Sequence, residues 1–320
     1  MVIYFETSAI NYLNDNVDRQ DIITLRDALK QLGDGKSMLC LSPVTMWEIV
    51  CTGNPERREA LIATCQILFE DGYVYPGPIS IMDNFTAAGC PKQEKMFDFK
   101  ETCGKFAEEW RKISSDLDKT IIVESELIDR DGKYSAQASR MIEKLIKSNF
   151  TANAYPEDEL YSSICEWINN VYGNLHFIKE SASLPENSEM IYKAGIFFAT
   201  SLLITGISFS FDQSDIYTFW NKRGITEIGH QMCYLFCHYE TMLQYGPIFY
   251  MAMMAVKQVE GKGNRGLYKD CVHAMYMAYC DILFSNDKHF MELAKGEPVG
   301  FWGKIRSIEK FWNDIQNSVG

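Results

Sequence analysis

Apolar residues recur along this chain with two periods, and the change between them divides it. The opening Val2-Ile3-Tyr4-Phe5 is a short β-branched and aromatic run that stops at Glu6-Thr7-Ser8. It predicts a strand, a turn, and a helix through Asn11 to Leu13 that Thr7 or Ser8 caps. Asp21 to Leu32 carries Ile22, Ile23, Leu25, Leu29 and Leu32 on one helical stripe, which Gly33 ends. Met38 to Leu41 predicts a second strand, and Ser42-Pro43 opens a helix that contains Trp47, Glu48 and Ile49. Asn54-Pro55 interrupts it, and Glu56 to Glu70 resumes the helical period until Gly72 and the Tyr75-Pro76-Gly77-Pro78 punctuation.

From about Ile79 to Gln258 the period is helical almost throughout, with stripes at Phe106 to Ile113, Ala136 to Phe150, Leu160 to Val171, Met190 to Ile204 and Ile228 to Val256. The longest uncharged stretch, Ala194 to Phe211, is interrupted by Gly195, Thr200, Ser201, Thr205, Gly206, Ser208 and Ser210. It reads as a buried core helix and not as a membrane span. Gly261, Gly263 and Gly266 make a flexible connection. Leu267 to Tyr279 is then helical, Ile282 to Phe284 a strand, Asp287 to Leu293 a short helix, and Gly303 to Ile308 a last strand. The ends predict an α/β body and the middle an all-α one, dividing the chain into 1–78, 79–261 and 262–320.

With 47% hydrophobic and 23% charged residues in 320, the chain is long enough for a sizeable core and is not a disordered polymer. A formal net charge of -12 repels polyanions, so a nucleic-acid partner has to be met through local cations, side-chain or metallic. Ten cysteines lack paired spacing, and the opening lacks the features of a secretory signal, which points to reduced thiols in a cytoplasm. His230, Cys233, Cys237 and His238 recur at helical spacing. One helix rarely wraps a tetrahedral ion, so they read as structural.

Four carboxylates stand where strands hand over to helices, the place at which parallel α/β sheets build sites. Glu6 ends the first strand, Glu48 lies one turn into the helix after the second, Asp270 opens the helix before the late strand, and Asp287 follows that strand. Crowded carboxylates repel unless cations neutralise them, and Mg²⁺ or Mn²⁺ takes oxygen ligands of this kind. Asp281 either supports such a metal from a second layer or is a strand-entry turn residue. Thr7, Ser8 and Ser285 bring hydroxyls that could meet a substrate or cap helices, and Arg265, Lys269 and Lys288 flank the carboxylates as phosphate contacts or as solvated charges.

Four stretches resemble the PIN-domain nuclease family, in the right order. Ile3-Tyr4-Phe5-Glu6-Thr7-Ser8 is similar to its strand-Asp-Thr-Ser start, and Ser42-Pro43-Val44-Thr45-Met46-Trp47-Glu48 to its Ser-x-x-Thr-x-x-Glu helix. Asp270-Cys271-Val272-His273-Ala274 resembles its third acidic position, and Asp281-Ile282-Leu283-Phe284-Ser285-Asn286-Asp287-Lys288-His289-Phe290 its Asp-x-Leu-x-Thr-x-Asp-x-x-Phe ending. The resemblance implies an α/β fold, a three-layer PIN-like core with a parallel sheet between helices, here carrying a large all-α insertion. It also implies endoribonuclease activity, hydrolysing RNA and less often DNA with Mg²⁺ or Mn²⁺ held by Glu6, Glu48, Asp270 and Asp287. A bacterial toxin or defence nuclease without membrane attachment fits that family. Two departures stand out: Glu6 replaces the usual Asp and reaches about 1.5 Å further, and Glu48 and Asp270 are several times further apart than in the family. Glu6 and the acidic balance motivate the alternative, a catalytically silent PIN-like scaffold that acts through its insertion, where a protein partner or a second copy would bind.

Overall fold

The computed structural model describes residues 1–82, 102–118, 213–225, 246–260, 266–295 and 303–319, with 132–133, 135–140, 142–143 and the single residues 199 and 231. The chain divides into two compact units. Met1–Gly77, Asp98–Ser135 and Tyr279–Gly320 form the first, and Pro78–Phe97 with Ala136–Ala278 the second.

The first unit is α/β. Its six-stranded sheet has the order β4-β3-β2-β1-β5-β6, from β1 (Val2–Phe5), β2 (Met38–Leu41), β3 (Tyr73–Val74), β4 (Gly104–Lys105), β5 (Ile282–Ser285) and β6 (Ile305–Ser307). All pairings are parallel except that of β4 with β3. β1 lies centrally, with Ile3 opposite both Leu39 and Ile282. All four of its residues are buried, as a strand covered on both faces requires, and hence it reads as an unbroken apolar run. Ile3, Phe5, Leu39, Leu41, Val74 and Phe284 share one face and one apolar core.

Helices α1 (Thr7–Asn16), α2 (Arg19–Gly35), α3 (Pro43–Val50) and α4 (Pro55–Leu68) follow the first two strands. Each starts on a polar cap: Asp18 accepts from the Asp21 amide, Ser42 from Thr45 and Asn54 from Arg57, satisfying amides that helix ends leave unpaired. Leu13, Leu25, Leu29, Leu61 and Leu68 carry these helices into the core, where Trp312 of the carboxyl-terminal helix Ile308–Val319 joins them. α2 continues past Gly33, which was expected to end it. Gly33 has φ +60°, and a Cβ there would come within 2.8 Å of the Met1 Cβ.

β3 and β4 were not expected, and β4 falls inside the stretch read as all-helical. Two-residue strands carry no measurable period. Their pairing is visible only in the fold, where Lys105 Nζ donates to the Tyr73 hydroxyl at 2.7 Å.

The described helices of the second unit include α5 (Gln213–Lys222), α6 (Pro247–Glu260) and α7 (Leu267–Met275), the last followed by a 3₁₀ turn at Tyr276–Ala278. α6 and α7 pack together, and Phe249, Tyr250 and Met254 of the first and Leu267 and Cys271 of the second are all buried. The helix expected to run to Tyr279 therefore tightens at Tyr276, and Tyr279 belongs to the first unit. The stripes Leu160 to Val171 and Met190 to Ile204, His230, Cys233, Cys237, His238, and 261–265 of the glycine connection lie outside the described residues, Ala199 apart. Among the described residues no helix is long and apolar enough to cross a membrane.

Candidate functional site

Glu6 is the first residue past β1, and its amide still donates to Phe284 O at 3.0 Å. Its backbone is extended (φ −79°, ψ 159°), and Glu6 itself caps α1, the role expected of Thr7 or Ser8. The side chain is 7% exposed. Its Oε2 accepts from the Ser8 amide at 3.0 Å, from the Ser285 hydroxyl at 3.0 Å and from the Ser8 hydroxyl. Both hydroxyls in turn accept amides of the turn after β5: Ser8 Oγ takes Asn286 N at 2.8 Å, and Ser285 Oγ takes Asp287 N at 3.0 Å. A hydroxyl has one proton to give and two lone pairs. Each serine thus points its proton at Glu6 and its lone pairs at the turn, locking the carboxylate to β1, α1 and β5 together.

Glu48 reaches the same region from α3. Pro43 stands in the first turn of that helix, and the capping Ser42 hydroxyl lies 2.9 Å from the Tyr4 hydroxyl. Thr45 donates to Phe5 O at 3.4 Å, tying the helix to β1 at the residue before Glu6. The Thr7 hydroxyl donates to Glu48 Oε2. Carboxylate oxygens of Glu6 and Glu48 come within 4.8 Å of each other. The hydroxyls of Thr7, Ser8 and Ser285, expected as substrate contacts, all give their protons to these two carboxylates.

Asp287 begins the turn into the helix Lys288–Lys295, and its Oδ1 accepts from the amides of His289 at 2.7 Å and Phe290 at 3.4 Å. It is linked to Glu6 through Ser285 but does not form a close three-carboxylate group with Glu6 and Glu48. Lys288 is exposed at the start of that helix.

Asp281 requires a correction: it does not lie beside Glu6. It stands at the amino end of β5, accepting from Val2 N at 2.7 Å and donating its own amide to Val2 O at 2.8 Å. Four residues at 3.3 Å each, roughly 13 Å, separate that end of the sheet from the Glu6 end. The strand-entry reading of Asp281 is the one the structure supports. Asp270 and Lys269 lie in the second unit, half-buried in the first turn of α7. Burial, reinforced by Asp270, pushes the neighbouring Cys271 thiol well up. Arg265 lies outside the described residues.

One cation held by α1 was missed. Arg57, near the start of α4, donates to Asp15 Oδ2 at 2.8 Å and Asn11 Oδ1 at 3.4 Å. Thr7, Asn11 and Asp15 recur every four residues along one face of α1, but nothing in that spacing points to Arg57.

No family model, curated protein or solved structure matches this chain. What Glu6 and Glu48 can do is therefore set by their own atoms. They offer hard anionic oxygens, held from below by hydroxyls, at the carboxyl ends of parallel strands, a donor set that suits Mg²⁺ or Mn²⁺.

Proposed function

We propose that this chain is a divalent-metal-dependent nuclease with a three-layer, PIN-like α/β core and a large helical insertion, and that RNA is its principal substrate. The observation that carries the proposal is the Glu6–Glu48 pair, two carboxylates within 4.8 Å held by three hydroxyls from two elements, α1 and β5. At that distance they repel by about 1 kcal/mol in bulk water and about 3.5 kcal/mol at an effective dielectric of about 20. A fold that builds such a pair deliberately is built to receive positive charge.

Ser8 and Ser285 keep the Glu6 carboxylate aimed, Thr7 does the same for Glu48, and Tyr4 with Ser42 and Thr45 fixes the helix that carries Glu48. When bound, Mg²⁺ or Mn²⁺ supplies the Lewis acidity that phosphodiester hydrolysis needs. Asp270 and Asp287 belong to this proposal through the sequence resemblance. So do a cytoplasmic location, a toxin or defence role, and a partner or second copy bound through the insertion.

The test is to incubate labelled single-stranded RNA and DNA with the full chain in Mn²⁺, Mg²⁺ or EDTA. Cleavage of RNA that requires the metal and is lost in Glu48→Gln is the expected result. Absence of metal-dependent cleavage, or undiminished cleavage by Glu48→Gln, would refute the proposal in favour of a silent PIN-like scaffold.

A further inference from the structure

We infer that Arg57 is a backbone-phosphate contact of the strand presented to Glu6 and Glu48, so that this strand runs along α1. The inference rests on the nuclease reading and adds to it a residue and a direction.

The argument starts from α1. Thr7 at its first turn holds Glu48, while Asn11 and Asp15 on the same face hold the Arg57 guanidinium. At 1.5 Å per residue, these two contacts stand roughly 6 and 12 Å along the helix axis from Thr7. A strand whose scissile phosphate lies at the glutamates would bring a neighbouring phosphate, one or two nucleotides away, to Arg57. The guanidinium is a planar fork suited to phosphate oxygens.

Arg57 is also held loosely enough to serve. Its side chain is 43% exposed and that of Asp15 42%, and ion pairs so exposed contribute little to stability. Asp15 is held below the usual carboxylate range, first by its hydrogen bond from Arg57, so it keeps its charge and can hold the guanidinium in place until a phosphate displaces it. Arg26 presents the contrast. Its side chain is only 13% exposed, and it is engaged by Asp27, by Glu70 and by the Ile67 carbonyl, a structural clamp between α2 and the end of α4. In a chain of net charge -12, a positioned and releasable cation further along α1 from Thr7 is what a polyanion needs on arrival.

The experiment measures fluorescence anisotropy of a labelled single-stranded oligouridylate, with Ca²⁺ present and integrity checked by gel, across a series of salt concentrations. The proteins are the wild-type chain, Arg57→Gln, Arg57→Lys and Asp15→Asn. One phosphate contact to a single strand contributes about 0.7 to the slope of log K against log salt. Arg57→Gln is expected to lower the slope by about that amount, weaken binding several-fold and raise KM with kcat nearly unchanged. Arg57→Lys should restore the slope, and Asp15→Asn should tighten binding. A merely structural Arg57 would leave the slope where it is, and an unchanged slope in a folded Arg57→Gln overturns the inference even if the wild type cleaves RNA. A wild-type chain that neither binds nor cleaves overturns the nuclease reading and this inference together. Cleavage of the oligonucleotide by Arg57→Gln with wild-type KM overturns this inference alone.

Discussion

Replacing Glu6 by Gln removes one charge of the pair while keeping an oxygen that can accept from Ser8 and Ser285. Two terms then oppose each other in metal-free protein. Relief of repulsion with Glu48, within 4.8 Å, is worth between about 1 and 3.5 kcal/mol according to the effective dielectric. Against it, three hydrogen bonds to a carboxylate become bonds to a neutral amide, each weaker by about 1 kcal/mol. The terms nearly cancel, so melting in EDTA should barely change. Melting in Mn²⁺ separates the cases. A ligand at one hundred times its dissociation constant stabilises the native state by about 2.7 kcal/mol, a rise of several degrees in Tm for a chain of this size. The wild type should show that rise, and Glu6→Gln should lose nearly all of it together with metal-dependent cleavage. The assay is a thermal melt of both proteins in EDTA and across a Mn²⁺ titration. An equal Mn²⁺-induced rise in the variant would show that Glu6 takes no part in holding the ion, and the charge-pair argument would fall.

Two further outcomes are expected. Asp281→Asn should leave the Mn²⁺-induced rise and any cleavage at wild-type levels, because Asp281 caps Val2 at the opposite edge of the sheet; a loss of the metal response there would contradict that placement. Among the described cysteines, Cys51 and Cys103 are half-buried while Cys40, Cys65, Cys271 and Cys280 are buried. Burial pushes the Cys280 thiol up to about 12 and raises those of Cys40, Cys65 and Cys271 as well. Because the thiolate is the reactive form, native alkylation near pH 8 followed by peptide mapping should label Cys51 and Cys103 before the other four described cysteines, and labelling of Cys280 ahead of them would refute the burial argument.

The strands that carry the site were legible because each contains a short, wholly apolar run bounded by a polar stop: Phe5 before Glu6, Leu41 before Ser42, Phe284 before Ser285. The carboxyl ends of parallel strands share one edge, so Glu6 and Glu48 could be brought together on paper. The same rule places a residue that precedes a strand on the far edge, and applying it to Asp281 would have excluded that residue. What local pattern could not show was the use of the hydroxyls. Thr7, Ser8 and Ser285 look available in sequence, and only the crossing of β1, α1 and β5 turns their protons onto Glu6 and Glu48. Arg57 was illegible for a related reason: its meaning depends on the packing of α4 against α1, a contact between segments more than forty residues apart.

Glu6, longer than the Asp that the resembling family uses, is the position where sequence and structure together sharpen an expectation. If the surrounding turn were built for the shorter residue, Glu6→Asp would improve the site. The structure argues the opposite. Glu6 Oε2 meets the Ser285 hydroxyl at 3.0 Å and the Ser8 amide at 3.0 Å, so these partners are already spaced for the longer side chain. Withdrawing the carboxylate by about 1.5 Å would carry it beyond hydrogen-bond reach of Ser285, so that this buried hydroxyl loses its charged acceptor at a cost of about 1.5–3 kcal/mol. Glu6→Asp should therefore melt lower in EDTA and bind both Mg²⁺ and Mn²⁺ more weakly. The loss should be greater for Mg²⁺, whose small octahedral shell tolerates less displacement and whose affinity for such ligands is lower. Calorimetric titration of both ions into wild type and Glu6→Asp measures this directly. Tighter Mg²⁺ binding by Glu6→Asp would show that the hydroxyls follow the carboxylate inward, and that Ser8 and Ser285 adapt to Glu6 without fixing its position.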